Sequence, residues 1–349
     1  MGIKHFFSYL FLLTICFCQT TLHAQSKFGQ QIDSFLATPT QYPFNGVIRI
    51  VQNGKTLYET TNTYRDVKKS IPVNLSDNFL IGSISKQITA VLVLRAYEKG
   101  QLDLQTHIRK YLPQLTQPWA DTVTVHHLLT HTHGINDTDG LNRPLVFPAG
   151  SKFAYSQTGY ELLTQILEKV SGQSFAALST ALFKECGMSH TFHPSMYKGG
   201  KLAKGYVIDK LGNLNYIGMQ QSLDDIVVAS GGFISTAHDL QVWNDRLHNG
   251  KILKPETYRM MITPQPNAIR EHPLFGLTKY GYGISVDDKD GSLQLGQTGL
   301  VPGYASMDFY YPNTRTHLII LQNTTQVDNT ANTFAVQLLV QKLLRSTKP

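Results

Sequence analysis

Phe79-Leu-Ile-Gly-Ser-Ile-Ser-Lys-Gln-Ile-Thr-Ala90 holds one of two S-x-x-K patterns in a chain of 349 residues; the other is Ser195-Met-Tyr-Lys198. A chain this long offers about one such match by chance, so context has to separate them. Ser195 follows Pro194, and Gly199-Gly200 follow Lys198, so no helix fixes the spacing there. Ser83 follows Gly82 and opens a run in which Ile84, Ile88, Val91, Leu92, Leu94 and Ala96 recur at helical spacing until Gly100. On a helix, the i, i+3 spacing puts the Lys86 ammonium on the same face as the Ser83 hydroxyl. A helix N-terminus also offers free N–H groups and a positive dipole end to a developing oxyanion. Burial would lower the lysine from its ordinary pKa of about 10.4, so that it could take a proton. An N-cap serine followed by a solvated lysine remains an alternative on these residues alone.

Outward from this stretch, the pattern changes twice. Before it, Phe44 to Val51 and Lys55 to Thr61 alternate apolar and polar residues around Asn53-Gly54, a hairpin turn signal. After it, helices are expected at Val125 to Leu129, at Tyr160 to Val170 with Gly172 as the stop, and from a capping box at Thr236-Ala-His-Asp239 through Leu247. Strand character returns at Leu293 to Gln297, Tyr304 to Tyr310 and His317 to Gln322, and a last helix at about 332–344 closes the chain. The expected fold class is α+β: an antiparallel sheet built from both chain ends, about 42–80 and 285–325, with flanking helices and the C-terminal helix. A mainly helical region, about 83–280, is inserted.

Residues 1–24 read as a signal peptide, with Lys4 and His5, an apolar run Phe6 to Cys18, and a cleavage site at Leu22-His23-Ala24. An uncleaved anchor is the alternative. Export to the periplasm or medium is expected, with no stable membrane span after cleavage. Cys16 and Cys18 lie in that signal, which leaves Cys186 alone and the fold without disulfides. The formal charge of +7 is scattered, without a basic run or stripe, so nucleic acid is not an expected partner. Tyr155, in Tyr155-Ser156-Gln157, could act as a base if a cation such as Lys86 stabilised its phenolate.

The segment 79–90 resembles the active-site helix of the class C β-lactamase and penicillin-binding protein-like serine hydrolases, a family that includes D,D-peptidases, D-aminopeptidases and carboxylesterases. The resemblance continues in order through Leu128-Leu-Thr-His-Thr-His-Gly-Ile135, Phe147-Pro-Ala-Gly-Ser-Lys-Phe-Ala-Tyr-Ser-Gln-Thr-Gly-Tyr160, Ala229-Ser-Gly-Gly-Phe-Ile-Ser-Thr-Ala-His-Asp-Leu240, Tyr280-Gly-Tyr-Gly-Ile284 and Gln297-Thr-Gly-Leu-Val-Pro-Gly303. It implies a single catalytic domain over 25–349 and an acyl-enzyme mechanism without metal or cofactor. Ser83 would be the nucleophile, Lys86 its activator and Tyr155 the general base that later protonates the leaving group. Gln157, Gln297, Thr298 and Gly299 would line the substrate site, and the N–H groups of Ser83 and Leu300 would form the oxyanion hole.

Two positions depart from the family pattern. Gln157 stands where Asn is usual and keeps the amide. Gln297 stands where the lactamases carry Lys and many relatives His, so a substrate carboxylate would lose about 1 kcal/mol or more of charge-assisted bonding. The expected substrate is a small molecule or peptide, with cell-wall material one source. The scissile bond would be an ester, an amide, a D-amino peptide or a β-lactam, with efficient β-lactam turnover disfavoured. Two alternatives stay open: a non-turnover penicillin-binding-like sensor or wall-binding module, and a metal-dependent hydrolase built on His131 and His133 with Asp137 nearby. Ser76-Asp77-Asn78 imitates a lactamase motif but precedes the nucleophile, and reads as a turn.

Overall fold

The structure is a computed structural model that describes residues 27–38, 44–137, 141–223, 227–327 and 329–346; the expected signal peptide lies outside them. Two compact units result: Met1–Pro43 with Phe334–Pro349, and Phe44–Thr333. The first contains helix α1 (27–37) and the C-terminal helix Ala335–Ser346. The second holds the sheet and every candidate site residue. No helix among the described residues is long and apolar enough to cross a membrane.

The main sheet has eight strands: β1 Gly46–Gln52, β2 Lys55–Asn62, β9 Ile269–His272, β10 Gly276–Tyr280, β11 Ser285–Asp287, β12 Gln294–Val301, β13 Tyr304–Tyr311 and β14 Thr316–Gln322. They lie in the order β2-β1-β14-β13-β12-β11-β10-β9, each pair antiparallel. The hairpin turn falls at Asn53 and Gly54, both at positive φ (51° and 75°), as a tight two-residue turn requires. Between β2 and β9 the chain forms β3 Tyr64–Asp66 on β4 Ile71–Pro72, β5 Phe79–Leu80 on β8 Ile234–Ser235, and β6 Gly205–Ile208 on β7 Leu214–Ile217. After β14, β15 Thr324–Gln326 pairs parallel with β6. The sheet therefore joins both ends of the chain, as expected. Its later half begins at Ile269, inside the span expected to be helical, because Ile269–His272 and Gly276–Tyr280 are too short and too exposed to give a clear alternation.

Helix α2, Ser85–Glu98, is buried through Leu94. It packs against α4 Thr158–Ser171, α5 Phe175–Cys186 and a π-helical turn at Val228–Gly232. Its apolar middle, Ala90 to Leu94, suits a helix enclosed on all sides, and its buried polar residues Ser85, Lys86, Gln87 and Thr89 cluster at the start. Between them lies the short α3, Val125–Leu129, and α4 ends at Gly172 in the left-handed conformation, φ 68°. The remaining α-helices of this unit among the described residues are α6 Met219–Leu223, α7 Ala237–His248, α8 Pro255–Ile262 and the short α9 Thr330–Thr333. The capping box expected at α7 forms by half. Thr236 accepts the Asp239 N–H, but the Asp239 carboxylate accepts from the His190 N–H and the Thr191 hydroxyl instead. A full box occurs at α3, where Thr124 and His127 each accept the other's N–H.

One carboxyl group in the sheet is out of place. Asp308 on β13 has no exposure, accepts from the Asn244 amide at 2.5 Å, and leaves Oδ2 without a hydrogen-bond partner. Burial pushes it up to about 7, against an ordinary value of 3.8, with the Asn244 bond pulling the other way. A raised native pKa favours folding below pH 4, and that contribution fades as pH climbs to about 7, at up to about 1.4 kcal/mol per pH unit. Asp308→Asn cannot titrate there. Denaturant unfolding should show the variant gaining on wild type between pH 4 and pH 7.5; parallel pH profiles would refute a protonated Asp308.

Candidate active site

Ser83 sits in a 3-10 turn, Gly82–Ile84, and the α-helix proper starts at Ser85, later than the periodicity suggested. The turn is pressed against β12. Gly82 has φ 54°, and a Cβ there would meet the Leu300 nitrogen at 2.6 Å and the Gly299 Cα at 2.8 Å. A Cβ on Gly299 would in turn meet the Ile81 oxygen at 2.1 Å. The two backbones touch because neither residue has a side chain. This contact carries the Leu300 nitrogen to the start of the Ser83 turn, and the Ser306 hydroxyl clamps the Ile81 carbonyl at 2.7 Å. From Asp77 to Leu94, Ser83 alone is not fully buried.

The Lys86 side chain is 1% exposed and donates to the Ser230 carbonyl at 2.8 Å. Its nitrogen lies 4.6 Å from the Tyr155 ring centre and 5.3 Å from that of Tyr160. Burial pushes its pKa down, and the charge and hydrogen bond of Tyr155 oppose this only in part. Tyr155, half-buried, interacts electrostatically with both Lys86 and Ser83. Burial alone would raise the phenol, but the charges of Lys86 and Arg270, with those interactions, hold it below its usual 10. Hydroxyl, amine and phenol thus converge in one cluster, with the lysine shifted down and the tyrosine shifted down beside it.

Gln157 and Gln297 reach the same cluster. The Gln157 Oε1 accepts from the Ser230 hydroxyl at 3.1 Å. Gln297, 1% exposed, donates to the Ser83 carbonyl at 2.9 Å and to the Tyr155 hydroxyl at 3.3 Å, and accepts from the Tyr280 hydroxyl at 3.0 Å. Both ends of the amide are used within the protein. Thr298 meets His272 from β9 (Oγ1 to Nε2, 3.1 Å). The His272 Nδ1 accepts the Leu274 N–H, so Nε2 carries the proton and the Thr298 hydroxyl is left free to donate.

The histidine group is engaged otherwise. His131 and His133 accept the N–H groups of Ser156 and Ile135 on Nδ1, and His126 pairs with the Tyr282 hydroxyl at 2.9 Å. Asp137 accepts from the Ser156 hydroxyl and from the Gln157 and Thr158 N–H groups, which seats the start of α4 just after Tyr155. Among the described residues no group of three or more His, Cys, Asp or Glu is placed to hold a metal ion. The His131 ring lies 4.5 Å from that of Tyr155, centre to centre. Ser195 and Lys198 of the second pattern are exposed, and Asp77 of the false lactamase motif is buried in a turn against Arg65.

The sequence profile of the family described as Beta-lactamase matches residues 32–341. The chain belongs to that family. It is 27% identical over 321 residues to Penicillin-binding protein 4* of Bacillus subtilis (strain 168), across 81% of this chain and 69% of that one. The penicillin-binding protein homologue from Pyrococcus abyssi is 27% identical with a TM-score of 0.75, over 90% of this chain and 77% of that chain. The D-amino acid amidase from Ochrobactrum anthropi SV3 gives a TM-score of 0.78 at 19% identity, over 94% and 100%, a likeness of fold. With this family, the protein is a serine hydrolase in the general sense.

Two residues of the cluster have no place in the sequence reading. Ser230 lies in a quoted family block, yet its carbonyl, not a side chain, meets the lysine, and a carbonyl leaves no mark in composition. Arg270 sits on a short edge strand outside every block, with its guanidinium carbon 4.3 Å from the Tyr155 ring centre. Replacing Gln297 by Leu should remove the buried acceptor of the Tyr280 hydroxyl and the donor to the Ser83 carbonyl, and lower stability by about 1–3 kcal/mol. Chemical denaturation measures this directly, and an unchanged midpoint would rule out the bonded amide.

Proposed function

We propose that this protein is an exported acyl hydrolase that works through a Ser83 acyl-enzyme. The observation that carries the reading is the convergence of the Ser83 hydroxyl, the buried Lys86 and the depressed phenol of Tyr155. As the Ser83 Oγ attacks the substrate carbonyl, its proton passes to the Tyr155 oxygen, with Lys86 alongside. The carbonyl oxygen becomes an oxyanion facing the N–H groups of Ser83 and Leu300. Tyr155 hands its proton to the leaving alcohol or amine as the C–O or C–N bond breaks. Water then attacks the acyl-enzyme, gives its proton to Tyr155, and the carboxylic acid leaves as Ser83 regains a proton.

Gln297 shapes the substrate choice in this reading. It is uncharged, and its amide is committed to Ser83, Tyr155 and Tyr280. Esters, amides and D-amino peptides without a carboxylate beside the scissile bond fit it better than β-lactams. Gln157 and Thr298 supply the polar contacts to the bound acyl group.

Intact-mass analysis after exposure to an alkyl fluorophosphonate and a fluorescent penicillin tests the nucleophile. At least one adduct should form on wild type and none on Ser83→Ala; equal labelling of both proteins would dispose of the proposal. A Ser83 adduct together with no turnover of any ester, D-alanyl peptide or β-lactam would favour the non-turnover sensor. In a panel of nitrocefin, 4-nitrophenyl esters and D-alanyl peptides, nitrocefin turnover should rank below the best ester or peptide. The opposite ranking would show that a neutral residue at 297 does not disfavour β-lactams.

A further inference from the structure

Tyr155 is faced from several elements: Lys86 of α2, Arg270 of β9, His131 after α3, Tyr160 of α4 and Tyr280 of β10, while Asp137 before α4 acts on Lys86. His131 is neutral, since burial pushes it well below its usual range and the Lys86 charge pushes it further. Asp137 is spent on the hydroxyl and N–H groups at the start of α4. Two cations remain, and they differ. Lys86 exchanges protons within the cluster. A guanidinium keeps its charge at every working pH.

Arg270 is held where such a charge matters. It shares one side of β9 with His272, two residues on, and His272 reaches Thr298 while Arg270 lies against the face of Tyr155. The edge hairpin β9–β10 thus runs along the wall made by Tyr155, Gln297 and Thr298. Arg270 has no ion-pair partner among the described residues, and it is half-buried. A cation without a carboxylate, stacked on a phenol ring, has its electrostatic partner in that ring and its oxygen.

We propose that Arg270 is a positioning residue for the base: the fixed cation that favours the anionic form of Tyr155, in place of the charge absent at position 297. The inference rests on Tyr155 being the base in the reading above. In the acylation step the Ser83 proton passes to the Tyr155 oxygen, and Arg270 keeps all of its own. Removing the guanidinium should raise the Tyr155 pKa. It should also raise Lys86, which Arg270 holds down. Both changes move the acid limb of reactivity to higher pH.

The test follows the rate of Ser83 labelling by an uncharged alkyl fluorophosphonate from pH 5 to pH 10, in wild type, Arg270→Lys and Arg270→Gln, with thermal unfolding as a folding check. Arg270→Gln should shift the acid limb upward by about one to three pH units. Near neutral pH it should slow labelling at least tenfold, and the rate should recover at alkaline pH. Arg270→Lys should restore much of the limb. A fluorescent penicillin, which bears a carboxylate, is run in parallel. If Arg270→Gln slows only the penicillin and leaves the fluorophosphonate profile in place, Arg270 is a substrate anchor and the proposal is wrong. An equal loss at every pH in a folded variant would also overturn it. Wild type that takes no label on Ser83 would remove the nucleophile itself, a distinct failure that takes this inference with it.

Discussion

Gly82 and Gly299 meet backbone to backbone, and the geometry of the cluster depends on that contact. A Cβ on Gly82 would lie 2.8 Å from the Gly299 main chain, and one on Gly299 would lie 2.1 Å from the Ile81 oxygen and 3.0 Å from the Gly82 Cα. Because neither has one, the turn before α2 lies directly on β12. The Ser306 hydroxyl fixes the preceding carbonyl of Ile81, and the Gln297 amide fixes the following carbonyl of Ser83. Ser83 is therefore held from both sides by strand residues, at the one opening in a segment otherwise buried from Asp77 to Leu94.

The second constraint is a buried amine. Taking a lysine out of water is costly, and the cost falls when polar groups replace the solvent. Lys86 finds a carbonyl at Ser230 and the phenol of Tyr155, and the same desolvation lowers its proton affinity. The phenol is pulled in the same direction by two neighbouring positive charges. The pair is coupled: a phenolate makes the ammonium less costly and so opposes part of the downward shift of Lys86, while the ammonium lowers the phenol. A neutral His131 beneath the ring supplies packing without adding a competing charge.

Gln297 changes meaning between sequence and structure. In the sequence it is a missing cation. In the structure it is a filled node, bonded to Tyr280, Tyr155 and Ser83 at once. A lysine there could donate to the same oxygens but could not accept from Tyr280. The neutral residue therefore belongs to a network of buried hydroxyls, and the positive charges beside the phenol come from Lys86 and from Arg270 of the edge strand.

The pairing of Ser83 with Lys86 at i, i+3 and the sheet joining both chain ends were legible in local patterns: alternation in β1 and β2, Asn-Gly at their hairpin, and short β-type runs bounded by Gly, Pro and Asn at β12, β13 and β14. The false leads were separable on similar grounds, with Ser195 beside Pro194 and Ser76-Asp77-Asn78 ahead of Ser83. Other features depend on contacts between residues far apart in the chain, which no local pattern encodes. The sequence could not say that Thr236 caps α7 while Asp239 turns to His190 and Thr191, that β9 and β10 extend the sheet into the span expected to be helical, or that Asp308 is buried against Asn244. Nor could it place Arg270 on Tyr155, 115 residues earlier in the chain, since only the fold of the edge hairpin brings a guanidinium to that ring.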